Sequence, residues 1–128
     1  MKTPVILLFT HDNGLEGLVA KALSEIGGVS HLARDTDEAL ETVCGVPSLD
    51  LAIIDFEHGP HGMTLLSAIN ALRRQLPIIV ISRDDARHVA AAAYTHGAAA
   101  CLAKPVSATQ LVSTICRLGR FEPELATA

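Results

Sequence analysis

Apolar residues gather in five short runs along the chain, at Val5–Phe9, Val29–Ala33, Leu49–Ile54, Ile78–Ile81 and Ala99–Leu102. Each is of strand length. The first, third and fourth are nearly unbroken Val, Ile and Leu, as expected of strands buried on both faces. Between the runs the apolar spacing changes to three and four. Leu15, Leu18, Val19, Ala22, Leu23 and Ile26 trace a helical stripe that stops at Gly27-Gly28. Thr36 is placed to cap a second helix carrying Ala39, Leu40 and Val43, which ends near Gly45 and Pro47. Met63, Leu65, Leu66, Ile69 and Leu72 form a third stripe, ended before Pro77. A fourth helix is expected from about Asp85 to His96, closed by Gly97, and a fifth carries Leu111, Ile115 and Leu118 behind a Ser107 cap. Five βα units in strict alternation predict an α/β fold, a parallel sheet with helices on both faces.

The 128 residues are 49% hydrophobic and 19% charged, enough apolar material for one domain with a buried core. Aromatics make up only 3%, so that core must be aliphatic. The net charge of -4 and the scatter of the basic residues, of which only Arg73 and Arg74 are adjacent, argue against direct nucleic-acid binding. Cys44, Cys101 and Cys116 make no paired-spacing motif and read as small buried hydrophobes in a reducing compartment. The first apolar run is interrupted by His11 and Asp12, too early for a signal sequence, and no stretch approaches a membrane span. A cytoplasmic protein with no membrane partner is expected. The domain should occupy residues 1–119, with 120–128 a tail or the start of a linker.

In an open α/β sheet, ligands bind at the carboxyl ends of the strands. Those ends are polar here. The first run is followed by Thr10-His11-Asp12, the third by Asp55, the fourth by Ser82 and the fifth by Lys104-Pro105. An acid after an apolar strand is by itself often a turn or capping residue. A carboxylate, a hydroxyl and an ammonium at three successive strand ends make a site the better reading.

The order and spacing of these residues carry a resemblance. Pro47 to Asp55, Pro77-Ile78-Ile79-Val80-Ile81-Ser82, and Gly97-Ala98 followed by Lys104-Pro105 are similar to the receiver domain of two-component response regulators, over essentially the whole chain. The resemblance implies a flavodoxin-like (βα)5 three-layer sandwich with strand order 2-1-3-4-5. It implies that Asp55 takes a phosphoryl group from a histidine kinase or phosphotransfer protein, without further enzymatic activity. Ser82 would then hydrogen-bond the phosphoryl oxygens and Lys104 would pair with their charge. Chemistry agrees, because a carboxylate can form an acyl phosphate and the transfer needs mainly positioning and charge compensation.

Receiver domains normally end the first strand with two adjacent acids that bind Mg2+. Spacing back from Asp55 puts Thr10 and His11 at that pair, with Asp12 one position later. A shifted alignment would put His11 and Asp12 there instead. Magnesium prefers oxygen ligands, so its binding is expected to be weakened, with Asp12, Asp55 and the Glu57 backbone carbonyl as the remaining set. His11, His58 and His61 lie in loops at the same sheet edge and are of the type that holds zinc, copper or nickel, although such a loop is more often simply solvated. Cys101 stands where the family carries a Tyr or Phe, so any output must use another device. The alternative function is therefore a phosphorylation-independent pseudo-receiver, a protein-interaction or dimerisation module, with the fourth helix to fifth helix face as the candidate homodimer surface. A flavodoxin-type cofactor binder is disfavoured: Asp12 would repel a phosphate, and the first loop has no aromatic to stack a flavin.

Overall fold

The five apolar runs pair into one sheet. The computed structural model describes residues 3–56, 61–83 and 87–119. In chain order it has β1 (Val5–Phe9), α1 (Asn13–Ile26), β2 (Val29–Ala33), α2 (Thr36–Gly45), β3 (Leu51–Asp55), α3 (His61–Leu72), β4 (Ile78–Ser82), α4 (Arg87–Thr95), β5 (Ala100–Ala103) and α5 (Ala108–Gly119). All strand pairs are parallel and the order is β2-β1-β3-β4-β5. The chain is a flavodoxin-like (βα)5 sandwich, as the alternation and the resemblance implied.

Alternation along the strands divides the core into two layers, because successive side chains point to opposite faces. Ala52 and Ile54 of β3 pack with Val43 of α2, Leu65, Leu66 and Ile69 of α3, and Ala93 of α4. Leu51 and Ile53 pack on the other face with Leu15, Val19 and Leu23 of α1 and Leu111 and Ile115 of α5. Fully burying one such side chain stabilises by roughly 1.5–3 kcal/mol. An exposed ion pair such as Arg34–Glu16, at 3.1 Å, contributes about 0–1 kcal/mol. The aliphatic layers, not surface charges, fix the architecture, and they place β3 at the centre with every residue buried.

Several boundaries differ from the sequence expectation. β3 begins at Leu51 and runs through Asp55, and β4 includes Ser82, so both polar residues close their strands and are held by the ladder. β5 is shifted by one residue, to Ala100–Ala103. Asp35, not Thr36, caps α2, because its carboxylate reaches the Glu38 N–H at 2.8 Å and Thr36 is the first helical residue. Ser107 caps α5, its hydroxyl accepting from the Gln110 N–H at 3.0 Å. α4 is described from Arg87, and the expected start at Asp85 lies outside the described residues. Cys44 is exposed rather than buried, since it follows Val43 and falls just off the inward stripe; Cys101 is half-buried and Cys116 buried.

Two glycines do what other residues could not. Gly27 ends α1 at φ 70°, its N–H donating to the Leu23 carbonyl. Gly97 turns α4 into β5 at φ 113°, and a Cβ there would lie 2.5 Å from Cγ of Asn70 on α3. Far from the carboxyl end of the sheet, Arg73 donates to the carbonyls of Val46, Pro47 and Leu49, tying the end of α3 to the α2–β3 loop. Among the described residues no helix is long and apolar enough to cross a membrane.

Candidate functional site

The carboxyl edge of β1, β3 and β5 builds one connected polar cluster. β3 carries Asp55 to the end of the central strand, where its side chain is wholly out of solvent. A buried carboxylate is costly unless charge and hydrogen bonds compensate it. Two donors do so on the same oxygen. The Thr10 hydroxyl donates to Asp55 Oδ2 at 2.7 Å, and the Lys104 ammonium donates to it at 3.1 Å. Thr10 follows β1 directly and is itself buried. Lys104 follows β5, with its backbone N–H on the Ser82 carbonyl at 2.9 Å and a cis bond to Pro105.

Asp12 completes the cluster in two ways. Its Oδ2 accepts from Lys104 at 3.0 Å, so one ammonium bridges two carboxylates. Its Oδ1 caps α1, accepting from the N–H groups of Gly14 and Leu15 at 2.8 and 3.3 Å. The Lys104 hydrogen bond, reinforced by the Leu15 N–H, holds the Asp12 carboxyl below the ordinary carboxylate range. The three formal charges of Asp12, Asp55 and Lys104 sum to one negative.

The other candidate residues are placed differently. Ser82 closes β4 one position beyond Ile81, the register partner of Asp55, and is half-buried. His11 is exposed. Its Nε2 hydrogen-bonds the Arg34 carbonyl across the β2–α2 loop, in the tautomer that protonates Nε2, and its ring lies tilted 6.2 Å from that of Phe9. Glu57 and His58 lie outside the described residues, as does the His61 side chain. Among the described residues no group of three His, Cys, Asp or Glu side chains gathers to hold a metal. Asp12 and Asp55 each present a carboxylate oxygen to the Lys104 ammonium, and hard oxygen donors of this kind are chemically suited to magnesium. Beside the cluster opens a cleft of about 490 Å³ lined by Asp12, Leu15, Leu18, Arg83, Lys104, Pro105 and Val106.

Besides the Thr10 hydroxyl on Asp55, the sequence reading missed two features. One is the capping role of Asp12, signalled by an acid directly before Asn13-Gly14-Leu15, where an apolar helical stripe begins. The other lies at β5: the hydroxyl of Tyr94 on α4 accepts from the Cys101 N–H at 3.2 Å, bringing an aromatic to the strand from the neighbouring helix. Burial pushes the Cys101 thiol up, partly opposed by Tyr94, which leaves it a weak nucleophile.

A central buried acid, a bridging lysine after β5 and a hydroxyl ending β4 meet at the carboxyl edge of this sheet. The chain belongs to the response regulator receiver domain family, whose model matches residues 4–116. It is a receiver domain of two-component signal transduction. It is 28% identical over 126 residues to the sensory/regulatory protein RpfC of Xanthomonas campestris pv. campestris, a match covering 94% of this chain and 17% of that protein. The receiver domain of NtrX from Brucella abortus superimposes with a TM-score of 0.82 at 28% identity, covering 91% of this chain and 99% of that one. A crystal structure of NtrX from the same organism gives 0.84 at 27% identity, covering 93% of this chain and 27% of the other. The chain thus spans about a sixth of the length of RpfC. Receiver domains of this family typically bind Mg2+ at the phosphorylation site and act with histidine kinases or phosphotransfer proteins.

The lowered Asp12 carboxyl sets a pH dependence. Because folding depresses its pKa, Asp12 stabilises the native state above the unfolded value of 3.8 and loses that contribution as pH falls through the folded value. Asp12→Asn keeps a capping side chain and removes the charge. In urea unfolding the variant should be less stable than wild type at pH 7, and the difference should shrink as pH is taken below 3.8. A difference that stays constant with pH would show that the Asp12 charge does not contribute.

Proposed function

We propose that Asp55 is the phosphoacceptor, receiving a phosphoryl group from the phosphohistidine of a partner kinase or phosphotransfer protein. The observation that carries this reading is a single carboxylate, fully buried at the end of the central strand, with Lys104 on one of its oxygens at 3.1 Å. In the transfer an Asp55 oxygen attacks phosphorus in line. The phosphorus–nitrogen bond breaks and the imidazole leaves with the electron pair, taking up a proton. The product is an acyl phosphate on Asp55. Lys104, a compact cation on a flexible stem, can follow the growing charge from the carboxylate to the phosphoryl oxygens. Ser82, which closes β4, supplies a hydroxyl to the same group. The apolar cleft between Leu18 and Val106 gives a partner bearing the phosphohistidine a surface against which to pack.

Magnesium, when bound, would neutralise charge on the phosphoryl oxygens. Asp12, Asp55 and the backbone carbonyl of Glu57 would hold it. Thr10 and His11 contribute no carboxylate, so the pocket should bind the ion more weakly than one with a full acidic pair. Residues 1–119 are assigned to this domain and 120–128 to a tail or linker.

One observation favours a second role, an interaction face that needs no phosphate. On α4, Ala91 is exposed and Tyr94 is 51% exposed, while the Tyr94 hydroxyl is fastened to β5. Small side chains beside an anchored aromatic suit close approach by a second copy, through the α4–β5–α5 face.

Incubation with acetyl phosphate and Mg2+, followed by intact mass measurement, should add one phosphoryl group to the wild type and none to Asp55→Asn. Label that persists in Asp55→Asn would overturn the acceptor assignment. For the interaction face, the unmodified protein should sediment as a dimer at micromolar concentration and Ala91→Glu as a monomer. A wild type that is monomeric throughout that range contradicts the preformed dimer.

A further inference from the structure

We propose that Thr10 is a positioning residue for the acceptor carboxylate; this rests on the reading of Asp55 as the phosphoacceptor. The hydrogen bonds around Asp55 form a closed ring. The Asp12 N–H donates to Thr10 Oγ1 at 3.0 Å, and the Thr10 hydroxyl donates to Asp55 Oδ2 at 2.7 Å. Lys104 donates to the same Oδ2 at 3.1 Å and to Asp12 Oδ2 at 3.0 Å, which brings the ring back to its starting residue.

The direction of each bond matters. A hydroxyl has one proton and two lone pairs. With a lone pair taken by the Asp12 amide, the Thr10 proton is committed to Asp55. Thr10 is 1% exposed, so water does not compete for that proton. Branching at Cβ restricts its χ1, which keeps the hydroxyl where β1 delivers it. Asp55 Oδ2 is therefore gripped from two strand ends, by a neutral donor after β1 and a cation after β5.

A carboxylate oriented before the phosphoryl donor arrives has less reorganisation to undergo in the transfer. Lys104 must follow the phosphoryl group as charge builds on it, whereas Thr10 can stay on Oδ2 throughout. The hydroxyl thus holds the carboxylate while the ammonium moves. A residue that only satisfies a buried group would affect stability and leave the transfer rate untouched.

The test compares Thr10→Val, which keeps the shape and removes the donor, with Thr10→Ser, which keeps the donor. Acyl-phosphate formation is followed over a range of acetyl phosphate concentrations at saturating Mg2+, with thermal unfolding as the control for folding. Hydrogen bonds to charged groups contribute enough that Thr10→Val should lower the maximal rate about tenfold to a hundredfold. The half-saturating acetyl phosphate concentration should stay within about twofold and Thr10→Ser should recover most of the rate, because only orientation has changed. A folded Thr10→Val that reacts at the wild-type rate overturns the proposal, as does an effect confined to half-saturation. If Thr10→Val does not fold, or if the wild type takes no label and the acceptor reading itself fails, the Thr10 hydroxyl proton decides. A resolved, slowly exchanging hydroxyl signal in the NMR spectrum of the unmodified wild type supports the positioning bond, and its absence overturns it.

Discussion

One ammonium group shared by two carboxylates governs the functional end of this domain. Lys104 lies 3.0 Å from Asp12 and 3.1 Å from Asp55, and the Asp55 side chain has no solvent exposure. A carboxylate in that position without a counter-charge would cost several kcal/mol, and breaking such a buried pair costs about 3–5 kcal/mol. The ion pair also joins parts of the chain far apart in sequence, Asp12 beginning α1, Asp55 ending β3 and Lys104 following β5.

The sheet supplies what the ion pair needs. Parallel pairing in the order β2-β1-β3-β4-β5 sets the carboxyl ends of β1, β3 and β4 side by side and brings β5 next to β4. The ladder continues into the site: Asp55 is paired with Ile81 and Ser82 with Ala103, so carboxylate and hydroxyl are fixed by backbone register rather than by a loop. Below them, two aliphatic layers hold β3 from both faces. At the α4–β5 turn that leads to Lys104, Gly97 lies close against the Asn70 side chain of α3. Rigid packing beneath Asp55 and Ser82 keeps these side chains where the strands deliver them.

Much of this was legible in the sequence because it rests on local periodicity. Unbroken aliphatic runs mark β1, β3 and β4, three-four spacing marks α1, α3 and α5, and Asp55, Ser82 and Lys104 stand out as polar groups where apolar runs stop. Capping was harder to read. Asp35 and Thr36 are both capping residues by type, and only the backbone turn decides that Asp35 takes the position. Cys44 illustrates the limit of residue type, since one step around α2 from Val43 is enough to expose it. The grip on Asp55 was not legible at all. Thr10 and Asp12 are two residues apart, and whether their side chains point into the pocket or away depends on how β1 bends into α1. That bend sends the side chain of the intervening His11 to the Arg34 carbonyl instead. The Tyr94 hydroxyl on β5 likewise depends on tertiary placement, because the α4 sequence does not reveal which face meets the strand.

The most direct test of the Lys104 bridge is a double-mutant cycle between Lys104→Met and Asp55→Asn, measured by urea unfolding at pH 7. If the ammonium compensates the buried carboxylate, Lys104→Met should be substantially more destabilising in the wild type than in the Asp55→Asn background. The coupling should fall in the range of about 0.5–3 kcal/mol found for residues in one ion-pair network. Effects of the two substitutions that simply add, within about 0.3–0.5 kcal/mol, would contradict a bridge between Lys104 and Asp55.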